Sequence, residues 1–324
     1  KIQIPEKYTE RISTAQDTMD RNFLVWLQNR YSGLNAMAPN PPVMVSHIPR
    51  YLSRRMDGNP DCKVLFILVD GMAVEQWLAI KRDMEVRNAE WKFDENYVFA
   101  WAPSLTSFSR QSAFAGKPPV FFPSSIFSTD REKSHWSAFW NGNGLKTDEI
   151  RFEKYTQDPD QAGIERLLNE PDMRAIGVIL TQVDSIMHGA CLGSAGMMTQ
   201  VGLWASQSAM ANIVEMALLK GFEVYISSDH GNVESVGIGR PSEGVEAELR
   251  GQRVRIFDNP DSRARVRALF PETIEWPPNG LPENCLALFA AGRAAFAPKG
   301  ERIVTHGGLS LQEMIVPFIR VGLN

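Results

Sequence analysis

The chain has 324 residues, 44% of them hydrophobic, enough to bury a substantial core as one large domain or two. Its longest apolar runs fall far short of a membrane span and no charged-then-apolar leader opens it, so the expectation is a soluble, cytoplasmic protein without a membrane partner. A net charge of −4 carries no global nucleic-acid signature. Three widely separated cysteines, Cys62, Cys191 and Cys285, with no C-x-x-C pair, argue against a disulfide scaffold and a thiolate zinc finger. The first residue is Lys1 rather than methionine, which raises the expectation of a domain cut from a longer protein, although a processed chain would look the same.

Taken in order, the chain starts polar. Arg11 to Leu34 then has helical spacing, with Phe23, Leu24, Trp26 and Leu27 on its apolar face. Asn35 to Pro49 is a Pro-rich joint where helix is not expected. Arg50, Arg54 and Arg55 read as a solvated helix face, with phosphate binding the minority reading. Residues 1–55 thus form an N-terminal helical and linker segment, and 56–324 the main domain. Val64 to Val69 is an apolar run without alternation, the pattern of a strand buried on both faces, and it leads straight into Asp70-Gly71. Met72 to Arg82 again has helical spacing. A carboxylate therefore stands where a central strand ends and a helix begins, the edge at which open α/β sheets bind ligands. Asp-Gly is also ordinary turn chemistry.

Tyr97 to Ala102 reads as a second strand. It runs into Pro103–Gly116 (PSLTSFSRQSAFAG), where Ser and Thr precede a helical stretch that stops at Gly116. These hydroxyls suit helix N-caps, and capping alone is one reading. The other is a hydroxyl nucleophile at a helix N-terminus, where N–H groups and the dipole would hold a phosphate. Lys117 to about Pro171 is irregular, with a strand, some helices and loop structure over the site; His135 within it reads as packing or surface. Ala175 to Val183 predicts another buried strand, ending at Asp184, and His188 follows four residues later, close enough to share one helix face or one ion. Ser194 to Lys220 predicts one long helix. Phe222 to Ser228 is a further strand and ends in Asp229-His230-Gly231. Residues 233–300, with Arg250, Arg253, Arg255, Arg263, Arg265 and Arg267, read as an inserted cap of short strands with one helix near Ser262 to Leu269. The chain closes through Thr305-His306-Gly-Gly and a last apolar strand from Met314 to Arg320. There is no repeat and no nucleotide-binding glycine loop.

Of five histidines, His188, His230 and His306 lie at or just past strand ends beside glycines, and two of them have an Asp at short spacing. Imidazole and carboxylate without thiolate suit zinc or manganese in a catalytic site. With Asp70 the set reaches three Asp and three His, enough for two ions that could clamp the attacking and leaving oxygens of a phosphoryl group.

In that order the residues resemble the alkaline phosphatase superfamily. ILVDGM, SSDHGN and THGGLSLQEMIVPF look most like the PglZ domain, which is associated with bacterial phage-defence systems of the BREX type and also occurs in some response regulators. The likeness covers roughly Lys63 to the end. Pro103 to Gly116 further resembles the nucleophile segment P-T-x-T-x-x-N of nucleotide pyrophosphatase/phosphodiesterases. That register implies Thr106 as nucleophile, with Ser104, Ser107 and Ser109 as runner-up hydroxyls. The resemblance implies one ion on Asp70, Thr106, Asp229 and His230, and a second on Asp184, His188 and His306. Where those enzymes have a phosphate-binding Asn, this chain has Ser109, with Arg110 beside it, so these two are the expected substrate contacts.

The expected fold is α/β, a doubly wound, mostly parallel sheet flanked by helices, with the cap inserted. The expected function is a two-metal phosphoesterase, more a phosphodiesterase than a monoesterase, acting on nucleotides or oligonucleotides. A phosphomonoesterase or mutase is the enzymatic alternative. A metal-binding assembly component of a defence complex is the non-enzymatic one.

Overall fold

The computed structural model describes residues 6–170, 172–189, 193–246 and 251–323. Helices α1 (Glu6–Leu34) and α2 (Ile48–Met56) lead to β1 (Lys63–Val69), α3 (Val74–Arg87), β2 (Trp91–Phe99), α4 (Thr106–Ala115), α5 (Glu132–Gly142) and β3 (Ile150–Tyr155). Next come α6 (Gln161–Leu168), β4 (Ala175–Leu180), α7 (Gln182–Gly189), α8 (Gly193–Gln207), α9 (Met210–Leu219) and β5 (Phe222–Ser227). The long excursion contains β6 (Val233–Gly237), β7 (Val254–Phe257), α10 (Pro260–Leu269), β8 (Ile274–Trp276), β9 (Leu286–Phe289) and β10 (Ala294–Ala295), and β11 (Arg302–Thr305) follows it. A short α11 (Leu311–Met314) feeds the final β12 (Ile315–Leu323).

The central sheet has the order β2-β12-β5-β1-β4-β3. β1 lies at its middle, paired in parallel with β4 and β5, and β3 extends the parallel run. β12 alone runs against its neighbours. The expectation of a mostly parallel sheet flanked by helices is met.

Side chains alternate across a strand, and β1 divides the core accordingly. Val64, Phe66 and Leu68 enter one cluster with Phe108, Phe114, Trp136 and Trp140 of α4 and α5, while Leu65, Ile67 and Val69 enter another with Trp77 of α3, Met197 of α8 and Ile213 of α9. Both faces of the sheet are covered, which is why the β1 run is apolar without alternation. The excursion and β11 after it form two smaller sheets, β10-β6-β11 and β7-β9-β8. α1 adds Leu27, Tyr31 and Leu34 to the first cluster, and the Tyr31 hydroxyl accepts the Ala102 N–H (2.7 Å) just ahead of α4.

Several boundaries differ from the sequence reading. α2 begins at Ile48, inside the stretch expected to lack helix, because Pro49 lies in its first turn, where no N–H is needed. On α2, Arg55 pairs with Glu223 at 2.9 Å. The strand before α4 is β2, which starts at Trp91; as an edge strand it buries only Trp91 and Val98 and lacks the continuous apolar signal of β1. β4 stops at Leu180, so Asp184 falls in the first turn of α7 rather than at a strand end. The predicted long helix is two, α8 and α9, and at the break between them the Asp158 carboxylate accepts the Ala209 N–H (3.1 Å) and the Trp204 Nε1–H (3.1 Å). Cys62 and Cys285 are buried free thiols; Cys191 and Arg250 lie outside the described residues.

Candidate metal and phosphoryl-transfer site

The site assembles where β1, β4 and β5 end. Asp70 follows β1, and the next N–H, from Gly71, donates to Asp229 Oδ1 (3.0 Å), tying the ends of β1 and β5 together. Asp229 Oδ1 also accepts the His230 N–H (3.1 Å). Behind these turns, Asn232 donates to the Gly71 carbonyl (2.8 Å) and Met72 N–H reaches Ser228 (2.9 Å). The loop leaves no room for a side chain at Gly231, whose Cβ would lie 1.9 Å from the Gln312 carbonyl oxygen.

His230 Nδ1 lies 2.9 Å from the Gly231 carbonyl. A carbonyl can only accept, so Nδ1 carries the proton and Nε2 the lone pair. That Nε2 is 2.9 Å from Thr106 Oγ1. By the same reasoning His306, with Nδ1 3.1 Å from the Ser104 carbonyl, presents its Nε2 lone pair. The two imidazoles stack at 4.1 Å between centroids, inclined by 11°.

Asp70, Asp229 and His230 are buried, with ligand atoms all within 4.8 Å of one another; they are the one such group of three among the described residues. Asp70 Oδ1 and Asp229 Oδ2 are buried with no hydrogen-bond partner there. Two orphaned carboxylate oxygens beside an imidazole lone pair fit a divalent cation, since leaving them bare costs free energy that a cation would recover. Burial, against the pull of Arg110, pushes the Asp70 carboxyl well above the usual carboxylate range and that of Asp229 up to about 6.

Asp184 and His188 are i,i+4 on α7, as the spacing predicted, and meet at 3.2 Å. Burial works to raise the Asp184 carboxyl, but the His188 hydrogen bond and the neighbouring histidines outweigh it and hold the carboxyl low. The Thr106 helix is also as expected. Thr106 opens α4 as its first helical residue, not its cap, and α4 stops at Gly116 in the left-handed conformation that glycine tolerates.

Ser109 is fully buried and its hydroxyl accepts the Trp101 N–H (2.9 Å), so it is committed to the backbone ahead of α4. Ser104 holds the Gly308 carbonyl (2.9 Å). Arg110, four residues after Thr106 and on the same face of α4, does reach the site: Nη1 donates to Asp70 Oδ2 and Nε to Glu132 Oε1 (2.7 Å). The remaining histidines lie in packing roles, His135 against Phe122 and Gln111, His47 against the Asn35 carbonyl.

Sequence reasoning missed three residues that shape the site. Glu132 lies in an aperiodic stretch and gave no signal. Arg253 was one arginine among many in the excursion. Glu313 did have a signal, the capping-box spacing Ser310-x-x-Glu313. Its carboxylate accepts the Gly308 N–H (2.7 Å) and pairs with buried Arg253 (3.1 Å), fixing the loop after His306.

Residues 52–321 match the family model of the BREX system PglZ alkaline phosphatase-like domain. The chain belongs to the PglZ family. No curated protein matches it in sequence. Among solved structures the PglZ chain is similar to murine ectonucleotide pyrophosphatase/phosphodiesterase 5, with TM-score 0.55, 12% identity, and 80% of this chain and 87% of that chain covered. It is likewise similar to the human protein of that name, with TM-score 0.52, 13% identity and coverage of 80% and 87%. An inactive threonine-to-alanine form of the murine protein in complex with AMP aligns with TM-score 0.54, 12% identity and coverage of 80% and 88%. At such identity the likeness is one of fold, and with the family it puts the PglZ chain in the alkaline phosphatase-like phosphoesterase superfamily. No helix among the described residues is long and apolar enough to cross a membrane.

Proposed function

We propose that this PglZ domain is a metal-dependent phosphodiesterase that cleaves nucleotide or oligonucleotide phosphoesters through Thr106. The observation that carries it is the 2.9 Å contact of Thr106 Oγ1 with His230 Nε2 beside two orphaned carboxylate oxygens. Asp70, Asp229 and His230, with Thr106, would hold one divalent ion, and Asp184, His188 and His306 a second; zinc or manganese suits nitrogen and oxygen donors without thiolate. Such ions would supply a lowered hydroxyl pKa and charge compensation at phosphorus.

The chain's own residues do the rest. Thr106 Oγ attacks phosphorus, its proton ends on the departing ester oxygen, which leaves as the alcohol, and water then adds to phosphorus and cleaves the phosphothreonine, giving one proton back to the Thr106 hydroxyl. The first turn of α4 directs its N–H groups and dipole at the non-bridging oxygens. Arg110 is the side chain next to that phosphate position, with Ser109 supporting the turn that holds it. A structural relative whose threonine-to-alanine form is described as inactive supports the role of Thr106.

We take residues 1–55 as a helical segment joined to the 56–324 domain, and 233–300 as an insertion at the site mouth. We place the protein in the cytoplasm as part of a bacterial defence system with other proteins of that system as partners, on the strength of the family alone.

Thr106→Ala tests the reading. It should keep metal and fold but lose hydrolysis of bis-p-nitrophenyl phosphate by about 10³-fold or more, as loss of a covalent nucleophile does. A wild-type protein that binds metal yet turns over no diester would reject the phosphodiesterase.

A further inference from the structure

Arg110 is committed in an unusual way. Its side chain is 2% exposed, and its guanidinium is shared between two carboxylates, Asp70 (4% exposed) and Glu132 (2%). Its Nη2 adds the Thr129 carbonyl at 3.4 Å, an oxygen that also accepts from Lys154 Nζ (3.0 Å). A permanent positive charge is thus fixed on one oxygen of Asp70, a member of the Asp70–Asp229–His230 cluster, while the other oxygen, Oδ1, is buried without a hydrogen-bond partner.

We propose that Arg110 is a built-in counter-cation that weakens divalent-ion binding at Asp70, Asp229 and His230, with Glu132 setting how strongly it does so. The inference rests on the reading above that this cluster holds a metal. Two effects act together. Asp70 Oδ2 already accepts from the guanidinium, so Oδ1 is the one Asp70 oxygen that meets the ion without a competing hydrogen bond. The guanidinium also repels any cation at the neighbouring oxygen, in a buried setting where screening is poor. Glu132 draws Arg110 toward α5 and cancels part of its field. The consequence is an exchangeable ion: the site fills and empties with the supply of free divalent metal, and turnover follows that supply.

The test is metal binding, independent of turnover. The 324-residue chain is stripped of metal and titrated with Mn²⁺ or Zn²⁺ by calorimetry and against a chromogenic chelator, for wild type, Arg110→Gln and Glu132→Gln. Arg110→Gln should tighten the weaker-held ion by about tenfold or more, and Glu132→Gln, which keeps its hydrogen bond to Arg110 Nε but not its charge, should loosen it by a similar factor, each decade of Kd being about 1.4 kcal/mol. Circular dichroism identifies a variant that has failed to fold. Because the two variants move affinity in opposite directions, a general loss of structure cannot imitate the pair. Wild-type affinity in both variants, or looser binding in folded Arg110→Gln, overturns the inference and leaves the phosphodiesterase reading standing. A wild-type protein that binds neither metal removes both.

Discussion

Arg253 of the excursion and Glu313 of α11 form an ion pair that is entirely inside the protein, 3.1 Å apart with side chains 1% and 0% exposed. Burial works to raise the Glu313 carboxyl, but the Arg253 charge and the hydrogen bonds from Arg253, Ser310 and Gly308 together outweigh it and hold the carboxyl low. Arg253 spends its other donors on the carbonyls of Gly292 and Ala294, and Glu313 takes the N–H groups of Gly308 and Ser310. The pair therefore fastens the inserted segment to the loop that carries His306.

Breaking such a pair from one side leaves an uncompensated buried charge, which costs about 3–5 kcal/mol. Glu313→Ala should lower the urea midpoint accordingly and loosen metal binding through His306. Arg253→Met/Glu313→Leu should cost less than Glu313→Ala alone, since both charges are gone. A double variant less stable than the single one would mean that the pair contributes net stability.

Asp229 gives a pH dependence of definite sign. Its carboxyl, pushed to about 6, keeps its proton in the folded chain between about pH 4 and 6, where an unfolded chain has released it. The folded state binds more protons in that window, so this group's contribution is fully present below pH 4 and is lost as pH rises through 6. Glu313 and Asp184, held low, act with the opposite sign, so the effect is read against Asp229→Asn. Without metal, Asp229→Asn should gain stability relative to wild type as pH rises from 4 to 7. A flat difference across that range would reject the buried, protonated carboxyl.

Much of this was legible beforehand, and the reason lies in the pattern. Strands buried on both faces are continuous apolar runs, so the acids Asp70 and Asp229 stand out where the runs end, and a glycine stop marks the end of the Thr106 helix. What was not legible depends on contacts distant in sequence. Asp158 meets the break between α8 and α9 from across the fold, and no local signal in the helical pattern shows that contact. Glu132 reaches Arg110 from a stretch with no period at all. The role of Ser109 was also beyond reach, because only the fold turns its hydroxyl to Trp101.

The excursion's arginines make a poor nucleic-acid surface. Arg255 pairs with Glu246 (3.0 Å), Arg263 and Arg267 with Glu275 (3.3 and 2.9 Å), and Arg265 with Glu243 (2.5 Å). Charges already neutralised release few counterions on contact with phosphates. Oligonucleotide binding followed by fluorescence anisotropy between 50 and 300 mM salt, about the range in which such release is read, should give a shallow slope. A slope steeper than about −3, equivalent to three or more phosphate contacts, would show that these arginines do engage the backbone.

Gly231 offers the sharpest test of the loop geometry. A methyl group there would meet the Gln312 carbonyl oxygen at 1.9 Å and the Ala73 Cβ at 3.0 Å, both close to the ends of packed elements. The Gly231 N–H donates to the Glu313 carbonyl (3.0 Å), and its own carbonyl holds His230 Nδ1. Gly231→Ala must push the loop away from α11, which costs about 1–3 kcal/mol as overpacking does. It also moves the carbonyl that fixes the His230 tautomer, and loss of such an outer hydrogen bond typically weakens metal binding by about 10–100-fold. Metal titration and urea unfolding of the same preparation separate the two effects. A Gly231→Ala protein that binds metal as wild type does would show that the His230 imidazole is held by something other than its own loop.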